Sequence, residues 1–306
     1  MLPQLSDGLF LADGGMETWL IFSAGLDLPE FASFPLVDDP RGVATLRAYY
    51  GPYVELARKH GVGFVFDAPT WRASARWGER LGYGPAELDG VNRRAVALLE
   101  EVRAEAGDAV RIVIGGCVGP RDDAYRADDQ LSVDDTFAYH RPQIETLSQT
   151  AAEFVNALTL TYVEEAVGIA LAARAADMPV AISFTVETDG RLPSGQPFRA
   201  AIEEVDAATN GAVAYFMVNC AHPTHFEHVF AEPGSWRDRV MGVRANASAK
   251  SHAELDESEE LDAGDPHELA SHYPLLRDRL PRFCVAGGCC GTDDRHIAAI
   301  YDALAV

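Results

Sequence analysis

Three cysteines stand where they could share one soft metal ion. Cys289 and Cys290 are adjacent in Val285-Ala-Gly-Gly-Cys-Cys-Gly-Thr292, an apolar run that ends among glycines. Neighbouring cysteines cannot close an ordinary unstrained disulfide, but both thiolates can face one ion. Cys220 closes a second apolar run, Phe216-Met-Val-Asn-Cys220, and offers a third thiolate. Zinc held by three protein ligands keeps its fourth position open for substrate, which is a catalytic rather than a closed structural pattern. Taken singly, each cysteine would be a small buried hydrophobe. The glycine-flanked pair with a third cysteine at another strand end is what favours the metal.

Other residues of the same types carry weaker signals. Cys117 lies in Gly115-Gly-Cys-Val-Gly119, where a small packing residue suffices, and Cys284 falls inside an apolar strand run. His222, His225 and His228 recur every three residues. On a helix such residues drift around the surface, so the three converge poorly on one ion and read as the start of a surface helix. Asp13-Gly14-Gly15-Met16-Glu17-Thr18 reads as a turn between strand and helix. Its glycines let a ligand reach the backbone, and free amides there can hold a carboxylate; the alternative is a plain turn. There is neither a Gly-x-Gly-x-x-Gly fingerprint nor a phosphate loop.

The elements that must position these groups follow one rhythm. Apolar strand runs over residues 9–12, 62–66, 111–117, 154–159, 179–186, 212–218, 239–244 and 283–286 alternate with amphipathic helical stretches. The clearest of those stretches cover residues 41–60, 85–106, 163–176, 199–210 and 294–304, with another from residue 133. Strand–helix pairs repeated through 306 residues predict a single-domain (β/α)8 TIM barrel over residues 1–306, with a doubly wound open sheet as the competitor. Barrel active sites lie at the C-terminal ends of the strands. Asp13 to Gly15, Cys220 and Cys289–Cys290 fall at such ends, on the first, sixth and eighth strands. Residues 245–266 are irregular and acidic, with Glu254, Asp256, Glu257, Glu259, Glu260 and Asp262. They read either as a solvated loop or as a lid over the barrel mouth. Asn246, just past the seventh strand, could reach the site in both cases.

Composition bounds the partners. A formal net charge of −22 disfavours nucleic acid and anionic membrane surfaces, while 48% hydrophobic and 24% charged residues suit a soluble enzyme. No stretch approaches the ~20 apolar residues of a membrane span. The first residues lack the basic start and apolar core of a signal peptide. The five cysteines, an odd number clustered at strand ends, favour reduced thiols, and the expected location is cytoplasmic.

Taken together the motifs resemble the homocysteine S-methyltransferase family, zinc-dependent barrels that include the betaine– and S-methylmethionine–homocysteine methyltransferases. The resemblance spans essentially the whole chain and is most specific at Asp13-Gly14-Gly15, Val218-Asn219-Cys220 and Gly287-Gly288-Cys289-Cys290-Gly291-Thr292 followed by His296-Ile297. It implies Zn2+ on Cys220, Cys289 and Cys290, with the Asp13–Gly15 turn against an amino acid acceptor. Glu17, Trp71, Arg72, Asn219 and Asn246 are the remaining substrate-binding candidates. The implied reaction moves a methyl group from a small cationic donor, a sulfonium or quaternary ammonium, to a zinc-activated thiol or selenol; with homocysteine the product is methionine. Trp71 could stack on the donor's charge, although the family tends to carry tyrosine there. A zinc or thiol redox sensor and a non-catalytic binding protein on the same barrel are the other classes. The oligomeric state is not legible.

The chain departs from the family in two places. Leu158 occupies the place of a family glutamate that holds the substrate's ammonium group, and Arg72 stands where a neutral polar residue is favoured. The expected acceptor is therefore a thiol for which homocysteine is a poor substitute, unless Glu17 or Glu187 supplies the carboxylate. Arg72 would suit an extra acidic group on it.

Overall fold

Eight parallel strands pair in chain order and close on themselves, β1 with β8. They are β1 (Phe10–Ala12), β2 (Gly63–Asp67), β3 (Ile112–Val118), β4 (Phe154–Leu160), β5 (Val180–Phe184), β6 (Tyr215–Asn219), β7 (Val240–Ala245) and β8 (Val285–Gly288). The computed structural model describes residues 2–6, 8–258 and 260–305. Every strand residue is buried, as a parallel sheet covered by helices on its outer face requires. Alternate side chains point two ways. Phe10, Val65, Val113, Phe154, Tyr215 and Met217 cluster inside the barrel, while Leu11, Phe64, Phe66 and Ile114 pack outward against the helices. This is the (β/α)8 architecture the alternation of runs predicts.

Helix ends show how local sequence sets the frame. Asp39 caps the helix Pro40–His60 by accepting from the Gly42 amide at 3.1 Å, and Gly61 ends it in the left-handed conformation. The buried face of this helix carries Tyr49, Tyr50 and Tyr53, whose hydroxyls reach the strand ends. Tyr49 donates to the Gly14 carbonyl at 2.9 Å, Tyr50 to the Asp67 carbonyl at 2.9 Å, and Tyr53 accepts from the Gly14 amide at 3.2 Å. One helix thus fixes the ends of β1 and β2.

Several sequence expectations shift. A helical segment, Met16–Thr18 continuing into Trp19–Ser23, follows the first turn, well before residue 41. β8 starts at Val285, so Cys284 precedes it and is only partly buried. β4 runs to Leu160 with a register shift after Ala157, and Thr159 takes φ 65°. His222 and His225 are buried rather than on a surface helix. Residues 245–266 are not structureless: Ser251 caps a helix at His252–Asp256. Glu259 lies outside the described residues. Among the described residues no helix is long and apolar enough to cross a membrane.

Candidate metal centre

Cys220 follows β6 with φ 58°, a conformation that costs a non-glycine residue about 1–3 kcal/mol and persists only where the surroundings fix it. Here they do. Its amide donates to the Arg244 carbonyl at 3.1 Å. Its carbonyl accepts from Asn246 Nδ2 at 3.1 Å and Thr185 Oγ1 at 3.3 Å, and contacts His252 Nε2 at 3.0 Å. Cys289 is anchored through its amide on the Ala245 carbonyl at 2.8 Å, and its own carbonyl accepts from Thr292 Oγ1 at 2.7 Å. A Cβ on Gly15 would lie 2.5 Å from the Cys289 carbonyl oxygen, so the first turn can sit against β8 only with glycine there.

These anchors bring the three Sγ atoms within 4.8 Å of one another, with Cys220 and Cys290 3.5 Å apart. A tetrahedral ion with Zn–S bonds of ~2.3 Å places its sulfurs roughly 3.8 Å apart, so the trio is close enough to share one such ion. Hydrogen bonds from Cys220 and Cys290 hold the Cys289 thiol well below its usual range, helped by Arg244 and Asn219. Hydrogen bonding to Cys289 pushes Cys220 up, and contact with Cys220 and Cys289 pushes Cys290 up. One thiolate in the trio is thus favoured even before a metal binds.

Asn219 does not face a substrate freely. Its Oδ1 accepts from the Thr159 amide at 2.9 Å and Ser183 Oγ at 2.6 Å. Its Nδ2 donates to Thr159 Oγ1 at 2.7 Å and toward Cys289 Sγ at 3.8 Å. The amide therefore ties the left-handed turn of β4 to the cysteine cluster. Asn246 differs: its Nδ2 holds Cys220, but its Oδ1 is buried on the cavity wall without a partner.

Asp13 is likewise engaged. Arg244, buried at the end of β7, ion-pairs with both Asp13 and Asp67 and donates from Nε to the Gly288 carbonyl at 3.1 Å. Asn156 completes the shell around Asp67 at 2.8 and 3.0 Å. Burial pushes the Asp13 carboxyl up to about 7 against the pull of Arg244, as two carboxylates sharing one guanidinium require. The Gly14 and Gly15 amides are also spent, on Tyr53 Oη and the Thr292 carbonyl, so neither is free for a carboxylate.

Above the sulfurs opens a cavity of about 490 Å3. Glu17, Trp71, Arg72 and Leu158 line it with the cysteines. Burial pushes Glu17 up, against a 2.8 Å hydrogen bond from Ser33. Arg72 bonds the Glu30 carbonyl and lies 3.7 Å from the Trp77 ring centroid and 4.9 Å from that of Trp71. Burial lowers its pKa to about 10, against the pull of Glu17. Trp71 donates to the Leu158 carbonyl at 3.3 Å. A cationic donor stacked on Trp71 would have to compete with Arg72. Glu187 contacts His252 at 3.3 Å and does not line the cavity.

Sequence reasoning passes over three residues. Tyr125, in the loop after β3, places its hydroxyl 3.2 Å from Cys220 Sγ and 3.9 Å from Cys290 Sγ. Burial raises its pKa well above the usual value, so it remains an O–H donor. His252 and Arg244 are the others. A charge closing an otherwise apolar strand run is the one signal that could have marked Arg244; neither Tyr125 nor His252 has a comparable one. Leu255, Leu261 and Asp262 line the cavity, so the acidic segment forms part of its wall.

A parallel barrel with a thiol cluster at its C-terminal rim defines a class, and comparison with known proteins gives it a family. The family model for homocysteine S-methyltransferase matches residues 10–304. A homocysteine S-methyltransferase of Escherichia coli (strain K12) is 25% identical over 312 residues, covering 95% of this chain and 94% of its own length. Crystal structures of the Escherichia coli homocysteine methyltransferase MmuM superpose at a TM-score of 0.75 in oxidised form (22% identity) and 0.75 in metallated form (21%). Each covers 97% of this chain and 96% of its own. The chain belongs to the homocysteine S-methyltransferase family.

Proposed function

We propose that this protein is a zinc-dependent S-methyltransferase that moves a methyl group from a small cationic donor to a thiol or related soft nucleophile. The observation that carries the reading is the convergence of Cys220, Cys289 and Cys290 Sγ within 4.8 Å at the floor of the cavity. Zinc on these three residues would keep an acceptor sulfur deprotonated at neutral pH, where a free thiol of pKa ~8.5 is mostly protonated.

The chain's own residues do the rest by placement. Asn219 and Tyr125 direct donors at Cys289 and Cys220 and so fix the directions of the sulfurs. The cavity walls hold donor and acceptor so that the sulfur lone pair lies in line with the methyl carbon, and such positioning supplies much of the rate. A sulfur–carbon bond forms as the bond from carbon to the donor's cationic sulfur or nitrogen breaks, its electron pair leaving with the neutralised donor. No proton moves in that step, which accounts for a site with no dedicated general base.

The acceptor's ammonium group, where it has one, finds little here. Leu158 is apolar, and Asp13 is neutralised by Arg244. Among the described residues, Glu17, Asp123, Glu260, Asp262 and the unpartnered Asn246 Oδ1 line the cavity and are available to meet it. Homocysteine or a related thiol is the proposed acceptor class, in a cytoplasmic setting. The test is a methyl-transfer screen over several thiols and cationic donors, run with metal analysis. Zinc with turnover supports the enzyme. Zinc without turnover would leave a binding barrel, and zinc loss on oxidation without turnover would leave a redox sensor.

A further inference from the structure

A second cluster of metal-binding side chains lies outside the cavity. Ligand atoms of His222, Glu268 and His272, one from each residue, sit within 4.8 Å of one another. His222 opens the short helix Pro223–Phe226 after β6, while Glu268 and His272 come from the helix Pro266–Ser271 and its C-terminal cap. We propose that these three residues form a second site for a divalent first-row cation such as Zn2+, with its fourth position open to water. This inference stands on its own residues and does not depend on the cysteine centre.

Geometry is the first support. Glu268 Oε1 lies 3.1 Å from His272 Nε2, and Oε2 lies 3.6 Å from His222 Nε2. Around an ion with bonds of ~2.0–2.1 Å, tetrahedral ligand atoms stand roughly 3.4 Å apart, so the carboxylate is already spaced to serve both rings. The rings are 5.4 Å apart and nearly perpendicular at 80°, so a modest rotation closes them on one point.

The far side of each ring is the second support. His222 Nδ1 meets Thr224 Oγ1 at 2.8 Å and the Thr224 amide at 3.4 Å, and His272 Nδ1 meets Glu227 Oε2 at 3.0 Å. A partner that fixes one ring nitrogen and turns the other toward an ion is the usual outer shell of a histidine metal ligand. His272 has a carboxylate oxygen at both nitrogens. A neutral imidazole carries only one N–H, so one of those contacts would set a lone pair against a carboxylate. A cation belongs there. A proton on His272 would satisfy that ring alone; a divalent ion satisfies both rings and the shared carboxylate.

The site would clamp the segment after β6 to the helix that closes residues 245–266. It would stiffen both the backbone carrying Cys220 and the cover of the cavity.

The test is zinc content of the full chain, loaded with excess zinc and then dialysed against a competing chelator of micromolar affinity. The wild type should retain two ions per chain, and Glu268→Gln and His272→Ala one each. Cobalt loading separates the sites, since the thiolate charge-transfer band of the cysteine centre should persist in both variants. Where His272→Ala fails to fold, Glu268→Gln preserves shape and carries the test. Wild-type metal content in a folded Glu268→Gln would overturn the proposal. One ion in the wild type, lost on Cys289→Ala but not on Glu268→Gln, would also overturn it while leaving the cysteine centre intact.

Discussion

Tyr125 stacks on His252, ring centroids 4.0 Å apart and planes 12° from parallel, while its hydroxyl reaches Cys220 Sγ at 3.2 Å. The loop after β3 and the helix His252–Asp256 after β7 therefore meet directly over the sulfurs. Such a stack contributes about 0.5–1.5 kcal/mol beyond area burial. Tyr125→Ala, which loses both stack and hydroxyl, should raise KM for the thiol acceptor by about two- to tenfold. Tyr125→Phe, which keeps the stack, should do less. Steady-state kinetics with metal analysis checks this; equal KM values for both variants would show that the stack does not order the cover.

Arg244 neutralises two buried carboxylates at once. Arg244→Met leaves Asp13 and Asp67 without a counter-charge, and removing one partner of a buried pair costs about 3–5 kcal/mol. Urea denaturation should show a loss of that size, partly recovered in Arg244→Met/Asp13→Asn/Asp67→Asn. A single variant as stable as the wild type would mean that the network bears no load.

The five cysteines should divide by reactivity. Burial pushes the Cys284 thiol up to about 12 and that of Cys117 well above its usual range. At pH 8 a thiol of pKa 12 is about one part in ten thousand thiolate, and the thiolate is the nucleophile. After chelation, native protein treated with iodoacetamide should be alkylated within the Cys220, Cys289 and Cys290 trio and spared at Cys117 and Cys284. Early labelling of Cys117 by peptide mapping would contradict the burial argument.

Leu158 lines the cavity with no charge or hydrogen bond to offer an ammonium group. A polar partner missing from a closed site costs about 1–3 kcal/mol, roughly a tenfold to hundredfold loss. Leu158→Glu should raise kcat/KM for homocysteine by about that factor. Efficient use of homocysteine by the wild type, with no gain in the variant, would show that Glu17 or Asn246 already fills the role.

The barrel and the cysteine trio at its rim were legible because both rest on local pattern. Strand runs alternate with helical ones, and three cysteines close such runs. Tyr125 was not legible, since its meeting with His252 is a long-range contact between a loop and a short helix, neither of which has a periodicity that marks it. Arg244 was hidden as the polar end of a strand, so Asp13 read as a free group and the amides of Gly14 and Gly15 as vacant. Asn219 was read as a substrate contact, but its amide is engaged by Thr159 and Ser183 of β4 and β5, a connection set by strand order in the barrel rather than by local pattern.

Zinc content of the wild type beside Cys289→Ala tests the central claim most directly, because that residue meets Cys220, Cys290, Asn219 and the field of Arg244. The account predicts one zinc ion fewer per chain in the variant, together with loss of methyl transfer. Equal zinc in the two proteins would contradict it.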